Sequence, residues 1–205
     1  KDFDTPLGIV HTDRDFIELF RKHCSQDIFE EEIIHRNEHT IEFQTVFLKY
    51  LFPNEDLKIL PVLVGSFHEL IVNRIEPIER NEVRLFTDAL KTTVALSGKR
   101  VCLITSVDLA HVGLRFGDPS EPNKLDLQNL ALEDKEMLEK IEGLDKSAFF
   151  LNIARDRDRR RICGFSPIYC MLSFLESGVG RLLKYEQSHD SQSGSVVSLA
   201  SLVIY

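Results

Sequence analysis

The sequence predicts an α/β fold in which helices pack on a mixed β-sheet. Three observations carry this expectation. Segments of helical spacing alternate with apolar strand-like runs, the run at residues 100–106 is apolar through its centre, and the chain closes on two strand-like runs at 181–187 and 195–204. That last pair, joined by small polar residues, suggests that part of the sheet is antiparallel.

Thr12 is the expected N-cap of a first helix, with Asp15 three residues on and Phe16, Leu19, Phe20 and His23 along one face. Residues 27–34 are ambiguous. A second helix is expected from Thr40, where Phe43, Val46, Phe47, Tyr50 and Leu51 recur at helical spacing. Residues 57–64 resemble a strand buried on both faces, although Pro61 lacks an N–H and pushes the run toward a sheet edge or a bulge. Asn81 should cap a third helix that turns Val83, Phe86, Ala89, Leu90 and Val94 inward and stops at Gly98. Residues 100–106 are the strongest strand. Long and short amphipathic helices follow, at 125–141 and from Asp145, and Ser166-Pro167 opens another that carries Ile168, Met171, Leu172 and Leu175.

The composition is that of one globular domain, residues 1–205. The formal charge is −8, from 33 acidic and 25 basic residues, which disfavours nucleic acid because non-specific binding neutralises phosphates with Lys and Arg. Membrane spanning is not expected either, since the longest apolar run covers only residues 59–64. Cys24, Cys102, Cys163 and Cys170 are scattered, with no C-x-x-C pair. Free thiols of this kind suit a reducing compartment, and the cytosol is the expected location. Cys102 and Cys170 are expected in the core. The opening residues, Lys1 to Pro6, look like the exit of an element, so the chain is expected to be the C-terminal part of a longer protein.

Four motifs could carry chemistry. Glu38-His39-Thr40-Ile41-Glu42 stands at a helix start, where Glu42 would also serve simply as a partner of the helix dipole and His39 as a loop histidine. Ser106-Val107-Asp108-Leu109-Ala110-His111-Val112-Gly113 places Asp108 and His111 just beyond a strand, where ligands bind in open α/β sheets. An Asp can orient a His, or the two can share a metal. Arg161-Ile162-Cys163-Gly164-Phe165-Ser166-Pro167 sets Cys163 before a helix N-terminus able to favour a thiolate, although a buried inert thiol explains it equally well. The run around His189-Asp190 reads first as a hairpin loop. The charged run at 155–161 is a solvated loop that could alternatively bind an anion.

In order and spacing these motifs resemble the Memo family, also called AmmeMemoRadiSam system protein B. Thr5-Pro6-Leu7-Gly8, Ile59-Leu60-Pro61-Val62-Leu63-Val64-Gly65, Ile162-Cys163-Gly164, Tyr185-Glu186-Gln187-Ser188 and the closing strand complete the pattern. The resemblance implies a three-layer α/β/α fold similar to extradiol-type non-haem iron dioxygenases, lacking N-terminal elements here. It implies a pocket that holds His39, Asp108, His111 and Cys163. Cys163 is the implied metal ligand, with iron the leading metal and copper or zinc alternatives. Two further histidine ligands are implied in P-H-A-G-Y-like and G-P-x-H-H-like motifs, neither of which occurs in this sequence.

On this resemblance His39 or His111 would act as acid or base with Asp108 orienting, in redox or dioxygenase-like chemistry. The alternative is a non-catalytic module that takes a small molecule or acidic peptide, helped by the basic run beside Cys163. A Cys163-dependent hydrolase is the weakest of the three, for want of an oxyanion-hole signature. The family name further implies a radical-SAM protein and an associated system protein as partners.

Overall fold

A hairpin that the periodicity did not show begins the chain. β1 (Phe3–Thr5) pairs antiparallel with β2 (Gly8–Thr12), and β3 (Lys58–Ile59) joins β2 in parallel. The Thr5 hydroxyl ties the turn by donating to the Gly8 carbonyl at 2.6 Å, and Gly8 supplies the positive φ of 119° that the turn requires. The computed structural model describes residues 1–205 and divides them into two units, residues 1–64 with 81–106, and residues 65–80 with 107–205.

In the first unit the helix predicted after Thr12 is α1 (Arg14–His23), and its cap is Asp13, whose carboxylate accepts from the Phe16 N–H. Its buried residues Phe16 and Phe20 face α4 (Asn81–Ser97), where the Phe20 and Phe86 rings meet edge-on at 5.3 Å. Lys99 donates to Asp13 at 2.5 Å and ties the end of this segment to the start of α1. Between them lies α2 (Thr40–Leu51), which forms as expected but turns its apolar stripe outward. Phe43, Phe47, Tyr50 and Leu51 are exposed, and Thr45 is its buried residue.

Two expected strands are corrected here. Residues 100–106 form no ladder, and Val101 and Ile104 stand exposed; of residues 57–64 only Lys58 and Ile59 pair. Apolar β-branched sequence is the signal for a strand, yet a strand exists only where a neighbour supplies N–H and C=O partners. Cys102, expected in the core, is exposed in consequence.

The second unit holds the main core. α3 (His68–Asn73) was not foreseen, whereas α5 (Lys124–Glu142) and α6 (Lys146–Ala154) match the expected helices. Asn123 and Asp126 form a capping box on α5, and Asp145 caps α6. α7 (Phe165–Phe174) begins one residue before Ser166. Met137, Phe149, Ile153, Phe165, Tyr169 and Leu172 interlock between these helices, with the Phe149 and Phe165 rings stacked at 5.5 Å. Each such side chain contributes about 1.5–3 kcal/mol by leaving water.

One face of this core is covered by the expected antiparallel pair, β5 (Gly180–Asp190) and β6 (Ser195–Ile204). β4 (His111–Gly113) adds to β6, giving the order β4-β6-β5. The α/β class therefore holds, with seven helices and two three-stranded sheets. No helix is long and apolar enough to cross a membrane.

Candidate metal centre

Residues 107–113 and 158–164 run side by side, and the site sits where they meet. On one side the Leu109 N–H donates to the Ser198 carbonyl, the Ser198 N–H returns to Ala110, and the Ser198 hydroxyl accepts from the Ala110 N–H. On the other side the His111 N–H donates to Arg160, Cys163 N–H to Leu109, and Gly164 N–H to Asp108. Segment 108–111 is thus bonded along both edges, which places Asp108, His111 and Cys163 together. Close approach depends on Gly164, because a Cβ there would lie 2.5 Å from the Asp108 carbonyl and 2.7 Å from Val107 Cγ2.

The ligand atoms of Asp108, His111 and Cys163 all lie within 4.8 Å of one another. His111 Nε2 is 3.9 Å from Asp108 Oδ2, too long for a hydrogen bond and short enough for a shared ion. His111 Nδ1 instead faces the carbonyls of Leu109 at 3.1 Å and Arg161 at 3.2 Å. The Phe116 ring stands edge-on to the imidazole at 4.9 Å. Cys163 is exposed, and its Sγ approaches the Asp108 carbonyl at 3.5 Å. Its thiol is pushed up, chiefly by burial; the Asp108 carbonyl contact lowers it, and the charges of Asp108 and Asp158 raise it further. Of the two readings the sequence left open, a thiolate favoured by the helix start or an inert thiol, the raised thiol favours the second in the metal-free protein.

His39 belongs to the first unit. It occupies the N-cap position of α2 without a side-chain capping bond, and its ring lies edge-on to Phe43 at 5.9 Å. The capping is done by Glu38, whose Oε2 accepts from the Thr40 hydroxyl and the Ile41 N–H at 2.9 Å each, a role the sequence reading did not assign. His189 and Asp190 are the last two residues of β5 rather than part of the loop, and the Asp190 carboxylate ties the hairpin turn that follows through Gln192 and Ser193.

Behind the site lies a buried polar network. Arg160 and Asp134, each almost fully buried, pair at 2.7 Å. The second Asp134 oxygen accepts from Ser198 at 2.6 Å and Tyr185 at 2.9 Å, and Arg160 also reaches Asn152 Oδ1 at 2.9 Å. Arg159 forks onto Glu133 at 2.8 and 2.9 Å, and Arg161 meets Asp118 at 2.7 Å. The three arginines that looked like a solvated or anion-binding run are therefore all matched to carboxylates. Their partners lie 26 and 43 residues away, which local charge patterning could not reveal.

A sequence model of Memo-like proteins matches residues 1–203. The chain belongs to the Memo-like family. Relatives named as MEMO1 family proteins include one from Aquifex aeolicus, 31% identical over 207 residues, which covers this whole chain and 50% of that protein. One from Methanosarcina barkeri is 31% identical over 206 residues, covering 98% of this chain and 66% of the relative. One from Methanosarcina mazei is 29% identical over 208 residues, with the same coverage of 98% and 66%. The Memo-like chain thus spans half to about two thirds of the length of these relatives. In this family member Asp108, His111 and Cys163 form a possible metal-binding group. The family resemblance names Cys163 as the ligand and gives Asp108 and His111 catalytic roles, while the residues themselves also allow those two to share a metal.

Proposed function

We propose that this Memo-like chain contributes a non-haem metal pocket of iron type, in which Cys163 supplies a thiolate, His111 an imidazole nitrogen and Asp108 a carboxylate. The supporting observation is the mutual approach of those three donor atoms within 4.8 Å. A sulfur, a nitrogen and an oxygen donor together suit iron(II) and also accept copper or zinc. Three protein donors leave coordination positions open to a small molecule, the arrangement of catalytic rather than purely structural metal sites. When bound, the metal would supply Lewis acidity and a redox couple for dioxygenase-like chemistry.

The remaining work falls to this chain's own groups. Cys163 must lose its proton to bind a cation, and the cation's charge offsets the burial and the neighbouring carboxylates that hold the thiol up. Asp108, half-exposed at the rim, can accept a proton from an incoming ligand or share the ion. His39 is proposed as a further acid–base group, and the two histidine donors implied by the family resemblance would complete the ligand set. A radical-SAM protein and an associated system protein are proposed partners, and the cytosol the proposed compartment, on that resemblance and the four free cysteines.

Elemental analysis of the purified protein and of its Cys163→Ala variant tests the metal reading. The expected result is bound transition metal in the first and its loss in the second. Equal metal content in both would remove Cys163 from the site. The alternative, capture of an acidic peptide, draws less support from Arg159, Arg160 and Arg161, because each is paired with a carboxylate of this chain.

A further inference from the structure

We infer that Arg161 and Asp118 are positioning residues that hold the His111 imidazole as its Nδ1–H tautomer and so present Nε2 to a divalent metal ion. The inference rests on the metal reading above and adds how one ligand is prepared for its ion.

Carbonyl oxygens only accept, so a ring nitrogen that faces two of them must carry the proton. His111 Nδ1 faces Leu109 O at 3.1 Å and Arg161 O at 3.2 Å, which leaves the lone pair on Nε2, the nitrogen nearer Asp108. Leu109 lies two residues from His111 and moves with it, whereas Arg161 anchors the ring from another segment. The Arg161 backbone has a positive φ of 53°, an unfavourable conformation for a residue with a side chain, so something must hold it.

Its own guanidinium does so. Nη1 donates to the His111 carbonyl at 3.1 Å and Nη2 to Asp118 Oδ1 at 2.7 Å. Asp118 Oδ2 in turn accepts from the Gly113 N–H at 2.7 Å, two residues past the histidine. The pair therefore grips β4 at both ends while the Arg161 carbonyl reaches the ring between them. Supporting bonds of this kind to a ligating histidine fix its tautomer and orientation, and losing them costs about 10–100-fold in metal affinity.

The test combines two readouts on the full chain. Long-range 1H–15N NMR of the metal-free protein reads the His111 tautomer, and titration with Zn2+ reads affinity. Wild-type His111 should carry its proton on Nδ1. Asp118→Asn and Arg161→Lys should each give a mixture of tautomers and bind Zn2+ about tenfold more weakly. Two variants keep the test independent of either one folding. Glu76→Gln is the structural control, since Glu76 accepts from Tyr169 and Ser147 at 2.8 and 2.7 Å away from the ring; it should lower stability and leave both readouts unchanged. A proton on Nε2 in the wild type overturns the inference, as does an unchanged tautomer in both variants. If the wild type binds no Zn2+ while the variants still lose the Nδ1–H signature, ring positioning stands and the metal reading fails.

Discussion

Arg160 and Asp134 form an ion pair at 2.7 Å with almost no exposure to solvent, and each is bonded to a segment that builds the candidate metal centre. The Arg160 carbonyl accepts the His111 N–H at 2.8 Å, and Asp134 holds the Ser198 hydroxyl that accepts the Ala110 N–H. A charge pair placed there supports both edges of segment 108–111 at once.

Removing one partner should therefore be costly. Arg160→Ala leaves the Asp134 carboxylate buried without its counter-charge, and the expected loss is about 3–5 kcal/mol in denaturant unfolding. A loss below about 1 kcal/mol would show that Ser198 and Tyr185 alone satisfy the carboxylate.

Gly164→Ala tests the close approach of the two site segments. The added methyl would meet the Asp108 carbonyl at 2.5 Å, so the segments must separate. Overpacking of this kind costs about 1–3 kcal/mol, and the variant should also bind Zn2+ more weakly. Unchanged affinity would mean that the Asp108–Cys163 spacing does not matter for binding.

Asp13 sets a pH dependence in the first unit. Burial raises its carboxyl, but the Lys99 ammonium and the Phe16 N–H outweigh burial and hold it below the ordinary value. Its folded pKa is thus depressed, so its contribution is present above the unfolded value of about 3.9 and is lost as pH falls through the folded one. Asn caps a helix as well as Asp does, so Asp13→Asn removes the charge and keeps the cap. The variant should unfold with a shallower acid limb than the wild type. Identical limbs would exclude Asp13 as a contributor.

Much of the second unit was legible in the sequence, and for local reasons. The helix from Asp145 carries its own cap, the helix at Ser166-Pro167 its apolar periodicity, and the closing strand pair its polar turn. Residues 100–106 and 57–64 carried an equally strong strand signal and mostly failed to pair, because pairing depends on neighbours that no run of residues encodes. The site divides the same way. Asp108, His111 and Cys163 were named from their place beside a strand end or a helix start. Arg161, Asp118 and Asp134 were not, because their partners are distant in sequence and a lone arginine in a charged run looks solvated.

The most direct test of the centre is titration of the full chain with Co2+, read by the thiolate-to-cobalt charge-transfer absorption. The absorption should appear in the wild type and vanish in Cys163→Ser, while His111→Ala and Asp108→Ala should each weaken binding. A wild-type protein that shows no such band, or a band that survives loss of the Cys163 sulfur, would contradict a metal held by Asp108, His111 and Cys163.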